Sequence, residues 1–261
     1  MRVASMFLRC ACAAALRACA VRARAELRPS RHCFVFRGAG GQSRSLKTST
    51  SLFNSYKSTA TMQSHTDVLR FWFGDEYFDD PSKLEQPTYF QGRAKMWYMG
   101  GADIDTKIRE QFADTVRAAG AGKLSDEAWN SKEGMLAKII LMDQMSRNAF
   151  RGTPEAFAYD EAARELTKSF VATYGSLSIP KPALNFLLSP LLHSEDIADL
   201  DLMIAEFAKA GTTNAFATDH REVLAKFGRY PHRNRHLGRE TTAEEAAWLA
   251  SPECPGWAKS Q

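Results

Sequence analysis

The chain has 261 residues, enough for one large or two small domains, and its formal net charge of +4 combines two very different parts. The first 62 residues hold eleven Lys or Arg and one acid, whereas the rest of the chain holds 23 basic and 29 acidic side chains. Because this remainder is net acidic, its charge argues against nucleic acid as a partner. No run of about 20 apolar residues is present, so the sequence predicts no membrane span.

The N-terminal part has the composition of a targeting leader, rich in Arg, Ala and Ser and poor in acids. Arg17 interrupts its apolar run, which argues against a secretory signal. We therefore predict a disordered mitochondrial transit peptide over residues 1–61 and a matrix-located domain over residues 62–261. The alternative is that translation starts at Met62 and the product is cytoplasmic. Four of the five cysteines lie in the leader, so the body cannot form a disulfide framework, which suits a reducing compartment.

From about His65 onward, apolar residues recur at helical spacing and no alternating run marks a strand. The segment ADIDTKIREQFADTVRAAG is predicted to form one amphipathic helix, with Asp103 or Asp105 capping its start and Gly120 ending it. The next segment, SDEAWNSKEGMLAKIILMDQMSRN, has a broad apolar band, which indicates a buried helix.

The segment GTPEAFAYDEAARELTKSFVATYG carries clear boundary signals for another helix. Thr153 is the predicted N-cap, Pro154 occupies the first helical position and Gly175 lies beyond the end. Phe157 and Tyr174 are predicted to lie on the inner side of this helix.

Four further helices are predicted toward the C-terminus. Pro190 lacks an amide hydrogen and is predicted to kink or stop the first of them. Ser194 is predicted to cap the second, with Ile197 facing inward. Thr242 and Glu245 stand at capping-box spacing before the last. Seven or eight helices with short connections predict a single all-α domain, either a bundle or a superhelix of hairpins.

Polar residues interrupt the apolar pattern at the ends of two predicted helices. In DQMSRN, Asp143 and Arg147 share one helical face, followed by Asn148, and a helix-end ion pair explains them without a functional role. In HSED, His193 lies beside Glu195, so the histidine is a candidate proton shuttle or metal ligand. The structural alternative is a histidine that hydrogen-bonds to the backbone at a helix entry.

The third polar group is FGRYPHRNRHLGR, residues 227–239, which we call the basic stretch. Arginines that meet the negative end of a helix closed by Gly228 would give it a purely structural role. Its charge density argues for more, because like charges repel unless an anion lies among them, and guanidinium groups match carboxylates and phosphates. The charged and titratable residues are Arg229, His232, Arg233, Arg235, His236 and Arg239.

Zinc binding by the two histidines of the basic stretch is weakly indicated. His232 and His236 are four residues apart, but the glutamate of a His-Glu-x-x-His motif is missing and arginines surround the pair. His220 lies on the apolar face of its helix and is predicted to be a core histidine. We therefore predict no metal and no other cofactor.

Four segments in order, FWFG, IILMDQMSRNAFRGTPEAFAYD, LLHSEDIAD and FGRYPHRNRHLGRETTAEEAAWL, resemble the family called domain of unknown function 924 over roughly residues 66–250. The resemblance implies an all-α superhelix similar to tetratricopeptide repeats and no established activity. The family pattern carries a proline where this chain has Ser146. The motif positions in this chain include Asp143, Arg147, Asn148, His193, Glu195, Arg229, His232, Arg233, Asn234 and Arg239.

These ten residues define two hypotheses. The first is a pocket that binds an anionic small molecule and is compatible with hydrolase or transferase activity, with His193 and Glu195 as the acid–base pair. The second is a non-catalytic helical scaffold that binds a peptide or protein on its concave surface. Under the second hypothesis, the arginines form internal ion pairs.

Overall fold

The computed structural model describes residues 62–235 and 237–259, and the leader predicted over residues 1–61 lies outside these ranges. The described residues form helices and turns without a strand, which confirms the all-α prediction. No helix in these ranges is both long and apolar enough to cross a membrane. In chain order the α-helices are α1 (His65–Phe73), α2 (Glu76–Asp79), α3 (Pro87–Ala94), α4 (Ala102–Gly120), α5 (Glu127–Asn130), α6 (Lys132–Ile140), α7 (Ser146–Ala149), α8 (Asp160–Tyr174), α9 (Lys181–Leu192), α10 (Ile197–Lys209), α11 (Ala215–Phe227), α12 (Ala243–Ala250) and α13 (Gly256–Lys259).

Short turns of other helical types connect or extend these helices. Narrow 3₁₀ turns lie at Pro81–Glu85, Pro154–Phe157, Ser176–Ser178 and Pro231–Arg233. Wider π turns lie at Lys95–Met99 and Leu141–Met145.

The core is centred on α6, which packs against α1, α8 and α9. Beyond it, α9 packs against α10, and α10 against α11, so the second half of the chain is a row of successive helices. The apolar band predicted before Asp143 is confirmed, since Leu136, Ile139 and Ile140 are fully buried. Burying each such side chain contributes roughly 1.5–3 kcal/mol.

Two predicted boundaries near the basic stretch are confirmed. Gly228 ends α11 with a φ of 67°, a left-handed conformation that favours glycine. Thr242 and Glu245 form the predicted capping box at the start of α12, because each side chain accepts a hydrogen bond from the other residue's backbone N–H.

The predicted cap of α4 is wrong. Gly101 is the N-cap residue, and no side chain caps the helix there. Asp105 instead accepts hydrogen bonds from Arg151 and Asn148, so its carboxylate joins α4 to the end of α7.

The helix predicted from Pro154 begins later than expected. Pro154–Phe157 forms a separate 3₁₀ turn, and α8 starts at Asp160. Because the chain changes direction between the two, Phe157 does not share the buried stripe of α8 and is 61 % exposed. Tyr174, also predicted to face inward, is exposed at the last position of the helix.

Pro190 does not end its helix, because α9 continues to Leu192. The proline leaves the Phe186 carbonyl without its usual N–H donor, and the Ser189 hydroxyl lies 3.2 Å from that oxygen. Asp196, rather than Ser194, caps α10 by accepting from the backbone N–H of Ala198. Ile197, predicted to face inward, is the first residue of that helix and is exposed.

Candidate functional site

A π turn in the middle of a continuous helix places Asp143. The chain passes from α6 through the turn Leu141–Met145 into α7, and the Ser146 N–H bonds to the Leu141 carbonyl five residues earlier. A proline at position 146, as the family pattern implies, could not make this bond. Single π turns inside α-helices are frequent at functional sites.

The Asp143 carboxylate is fully buried and accepts several hydrogen bonds. The Ser189 Oγ and the Gln144 Nε2 each lie 2.5 Å from Oδ2. Arg147 approaches Oδ1 to 3.4 Å. Burial alone would raise the pKa of Asp143, but the charges of His193 and Arg147 and these hydrogen bonds outweigh it and hold the pKa well below its ordinary value. Asp143 is therefore an anion at neutral pH.

His193, directly after α9, faces this carboxylate. Its Nδ1 lies 2.6 Å from the Asp143 Oδ1. A contact this short between a ring nitrogen and a carboxylate requires a proton between them, so Nδ1 is assigned as the donor. In the neutral ring Nε2 is then the unprotonated nitrogen. It has no hydrogen-bond partner among the described residues, and the side chain is 22 % exposed.

Asp160 belongs to the same group, although the sequence interpretation did not include it. Arg147 lies between the two carboxylates, with its Nη2 3.0 Å from the Asp160 Oδ2 and 3.1 Å from the His193 Nδ1. Burial raises the pKa of Asp160, and the charge of Arg147 only partly opposes this. Asp160 is the first residue of α8, where an acid interacts favourably with the helix dipole, so its position in the sequence did not indicate a functional role.

Arg233 brings the basic stretch to the same place. Its Nη1 donates to the His193 carbonyl at 2.8 Å, and its guanidinium lies over the Tyr230 ring, 4.8 Å from the centroid. No Asp or Glu oxygen of the described residues lies within 4.0 Å of its nitrogens. Burial lowers the pKa of Arg233, so its positive charge is held in an unfavourable environment. We call Asp143, Arg147, Asp160, His193 and Arg233 the charged cluster.

The other two motif arginines of the basic stretch have carboxylate partners. Arg229 holds Glu245 with two hydrogen bonds, of 2.6 and 2.9 Å. Arg239 holds Glu195 in the same way, also at 2.6 and 2.9 Å. Asn234 is buried and donates to Glu245 as well. These residues link the basic stretch to α12 and to the start of α10.

The expected pairing of His193 with Glu195 is replaced by another. Both Glu195 oxygens are occupied, since Arg239 binds each of them and the Tyr230 N–H also donates to Oε1. The acidic partner of His193 is Asp143.

Two predicted site residues, Asn148 and His232, and the predicted core histidine His220 are outside the charged cluster. Asn148 donates to Asp105 of α4, so its amide points to a different part of the molecule. His232 stacks on Tyr230, with 5.7 Å between ring centroids. His220 packs on Trp257 at 3.6 Å, as a core histidine would, and burial lowers its pKa to about 3.

Metal ligands and cavities complete the description. In the parts of the chain that the structure describes, no three His, Cys, Asp or Glu residues are grouped as a metal site would require. A cavity of about 350 Å³ lies away from the charged cluster, between α11 and the C-terminal segment. It is lined by Asp219, Glu222, Val223, Lys226, Trp248, Glu253 and Pro255.

The comparisons with known proteins assign the chain to a family. The family model described as "Bacterial protein of unknown function (DUF924)" matches residues 68–253. The chain belongs to this family. A solved structure of a protein of unknown function from Agrobacterium tumefaciens is similar to this DUF924 member, with 29 % identity and a TM-score of 0.58 over 71 % of this chain and 96 % of that chain. No curated protein matches the sequence.

Proposed function

We propose that the protein binds a small anionic molecule at Arg233, within the charged cluster. The observation that supports this is the environment of the Arg233 guanidinium, which is largely buried and has no carboxylate of the described residues within ion-pair distance. The charges of Glu195 and Asp160 act on it only from farther away. A buried charge is costly unless a charge of opposite sign compensates it. A carboxylate or phosphate group on a ligand would supply that charge and could be held by two parallel hydrogen bonds.

Arg147 and the aromatic ring that it packs on suit the same ligand. Arg147 carries a second guanidinium beside His193, and Phe157 lies over it, with 5.4 Å between the Arg147 Cζ and the ring centroid. The exposed Phe157 ring offers an apolar surface to the non-ionic part of a ligand. The activities that fit such a site are hydrolysis and group transfer on a small anion.

Thermal unfolding of the full chain tests the proposal. The anions to compare are inorganic phosphate, inorganic sulfate and small mono- and dicarboxylates, with chloride at equal ionic strength as the reference. At a free anion concentration about tenfold above its Kd, binding adds about 1.4 kcal/mol to the free energy of unfolding. We expect Arg233→Gln to abolish this gain.

Arg235→Gln is the matched control, because Arg235 is an exposed arginine of the same stretch and the substitution removes the same charge. It should leave the anion-dependent gain unchanged. Equal stabilisation of the parent and Arg233→Gln, or no stabilisation of the parent by any of these anions, would contradict the proposal.

The alternative is a scaffold for a peptide or protein partner. The ion pairs of Arg229 and Arg239 favour it, because they use two arginines of the basic stretch for internal contacts. Under this alternative, small anions do not stabilise the parent, and Arg233→Gln weakens capture of a partner from cell extract.

A further inference from the structure

We propose that His193 is the proton-transfer residue of this site and that Asp143 is its positioning residue. The inference rests on the proposed anion site at Arg233. The substrates it implies are small molecules with a carboxylate or phosphate group next to an oxygen or nitrogen that gains or loses a proton in the reaction.

The first argument is the orientation of the imidazole. Asp143 fixes Nδ1 at 2.6 Å, and Ser189 and Gln144 in turn fix the carboxylate from its other oxygen. A ring held in this way keeps one tautomer and presents Nε2 in one direction. Arg233 donates to the backbone carbonyl of the same histidine, so its guanidinium is held at this residue.

His220 provides a contrast within the molecule. Its Nδ1 lies 2.7 Å from the Phe216 carbonyl, and its ring is stacked on Trp257. No carboxylate of the described residues holds this ring, and burial lowers its pKa to about 3. His193 differs because its Nδ1 faces the Asp143 carboxylate rather than a backbone carbonyl.

Arg147 has two carboxylate partners beside His193, whereas Arg233 has none within ion-pair distance among the described residues. Asp143 and Asp160 are the carboxylates, and Arg147 and Arg233 are the cations. His220 is close enough to interact with His193 and Arg233, and His232 interacts with His220. Glu195 and Tyr230 also interact with Arg233. An anion bound at Arg233 brings a negative charge close to His193, and a nearby negative charge favours the protonated form of an imidazole.

The proton transfer needs no reactant beyond the substrate. In the forward direction an N–H bond forms at Nε2 while an O–H or N–H bond of the ligand breaks, and its electron pair stays on the ligand atom. Asp143 remains a carboxylate and compensates the imidazolium. In the reverse direction the imidazolium returns the proton to the product. Histidine suits both directions because it changes its charge at roughly pH 5 to 8.

Calorimetric titration of the full chain with inorganic sulfate at pH 7 tests the inference. Sulfate has no titratable proton in this range, so a proton taken up on binding goes to the protein. The number of protons follows from the binding heat measured in buffers with different ionisation enthalpies. We expect uptake of a fraction of one proton by the parent, and none by a His193→Gln variant that still binds sulfate. His65→Gln, at the start of α1, is the control and should keep the parent's uptake.

The outcomes separate this inference from the proposed function. Sulfate binding that depends on Arg233 but shows no proton uptake, or the same uptake in His193→Gln, overturns the role of His193 alone. Sulfate that binds Arg233→Gln as tightly as the parent overturns the anion site itself, and so does the failure of sulfate, phosphate and the carboxylates alike to bind the parent.

A second measurement decides the question if His193→Gln does not fold. Diethyl pyrocarbonate acylates unprotonated imidazole nitrogens, and mass spectrometry of the modified parent locates the acylated histidines. We expect His193 to react, and sulfate, unlike chloride at equal ionic strength, to slow its reaction several-fold. No reaction at His193, or no protection by sulfate, would overturn the inference.

Discussion

Arg229 and Arg233 are only four residues apart in the same stretch, yet their surroundings are opposite. Arg229 forms two hydrogen bonds with the buried Glu245, which also caps α12. Arg233 contacts a backbone carbonyl and an aromatic ring and has no carboxylate within ion-pair distance in the described residues. The difference shows that the three motif arginines of the basic stretch are of two kinds: Arg229 and Arg239 are compensated by carboxylates of the fold, and Arg233 has no such partner among the described residues.

The same division applies to the acids. Glu245 and Glu195 are each held by an arginine of the basic stretch, which accounts for their burial. Asp143 and Asp160 surround Arg147 and His193, where the pKa of one is lowered and that of the other is raised. Environments that separate the pKa values of neighbouring carboxylates are typical of acid–base sites.

The largest effect on stability is expected for Glu245→Ala. The substitution removes the capping box of α12 and leaves Arg229 and Asn234 without their carboxylate partner. Losing a cap and charge-assisted hydrogen bonds lowers the free energy of unfolding by about 2 kcal/mol. Denaturant unfolding of the full chain measures it. If Glu245→Ala lowers the free energy of unfolding no more than Arg235→Gln does, the structural role given to Arg229 and Asn234 is wrong.

An effect of similar size is expected from pH through the same residue. Hydrogen bonds from Arg229 lower the pKa of Glu245 in the folded protein to about 2, from an ordinary value of 4.5. Because the folded pKa is the lower one, the stabilisation is present above pH 4.5 and is lost as pH falls toward 2. The free energy of unfolding of the parent should therefore fall more steeply over this range than that of Glu245→Gln. If the free energies of unfolding of the two proteins change with pH in parallel, the stabilising ion pair between Arg229 and Glu245 is contradicted.

The smallest effect on stability is expected for Arg233→Gln. Because the native charge is buried without a carboxylate partner, its removal should change the free energy of unfolding by less than about 1 kcal/mol, and an increase is compatible with this expectation. Arg239→Gln, which breaks the pair with Glu195, should be destabilising by comparison. If Arg233→Gln lowers the free energy of unfolding as much as Arg239→Gln does, Arg233 is a structural arginine like Arg229 and Arg239.

The sequence indicated several members of the charged cluster but not how they pair. Asp143 and Arg147 share a helical face, so their contact follows from helical geometry. Asp143 and His193 are 50 residues apart, and their 2.6 Å contact depends on how α9 packs against α6 and the π turn that follows it. The preference of Glu195 for Arg239 over His193 likewise depends on the path of the basic stretch across the start of α10.

Local signals determined the all-α class, the apolar band of α6, the end of α11 at Gly228 and the capping box of α12. Each depends on residues within a few positions of one another, where backbone geometry leaves few choices. Only the tertiary structure decided that Asp160 joins the cluster, that Phe157 is exposed beside Arg147, and that Arg233 has no carboxylate partner in the part of the chain that is described. These features depend on which helices pack together, because the partner of a charged side chain comes from a segment far away in the sequence.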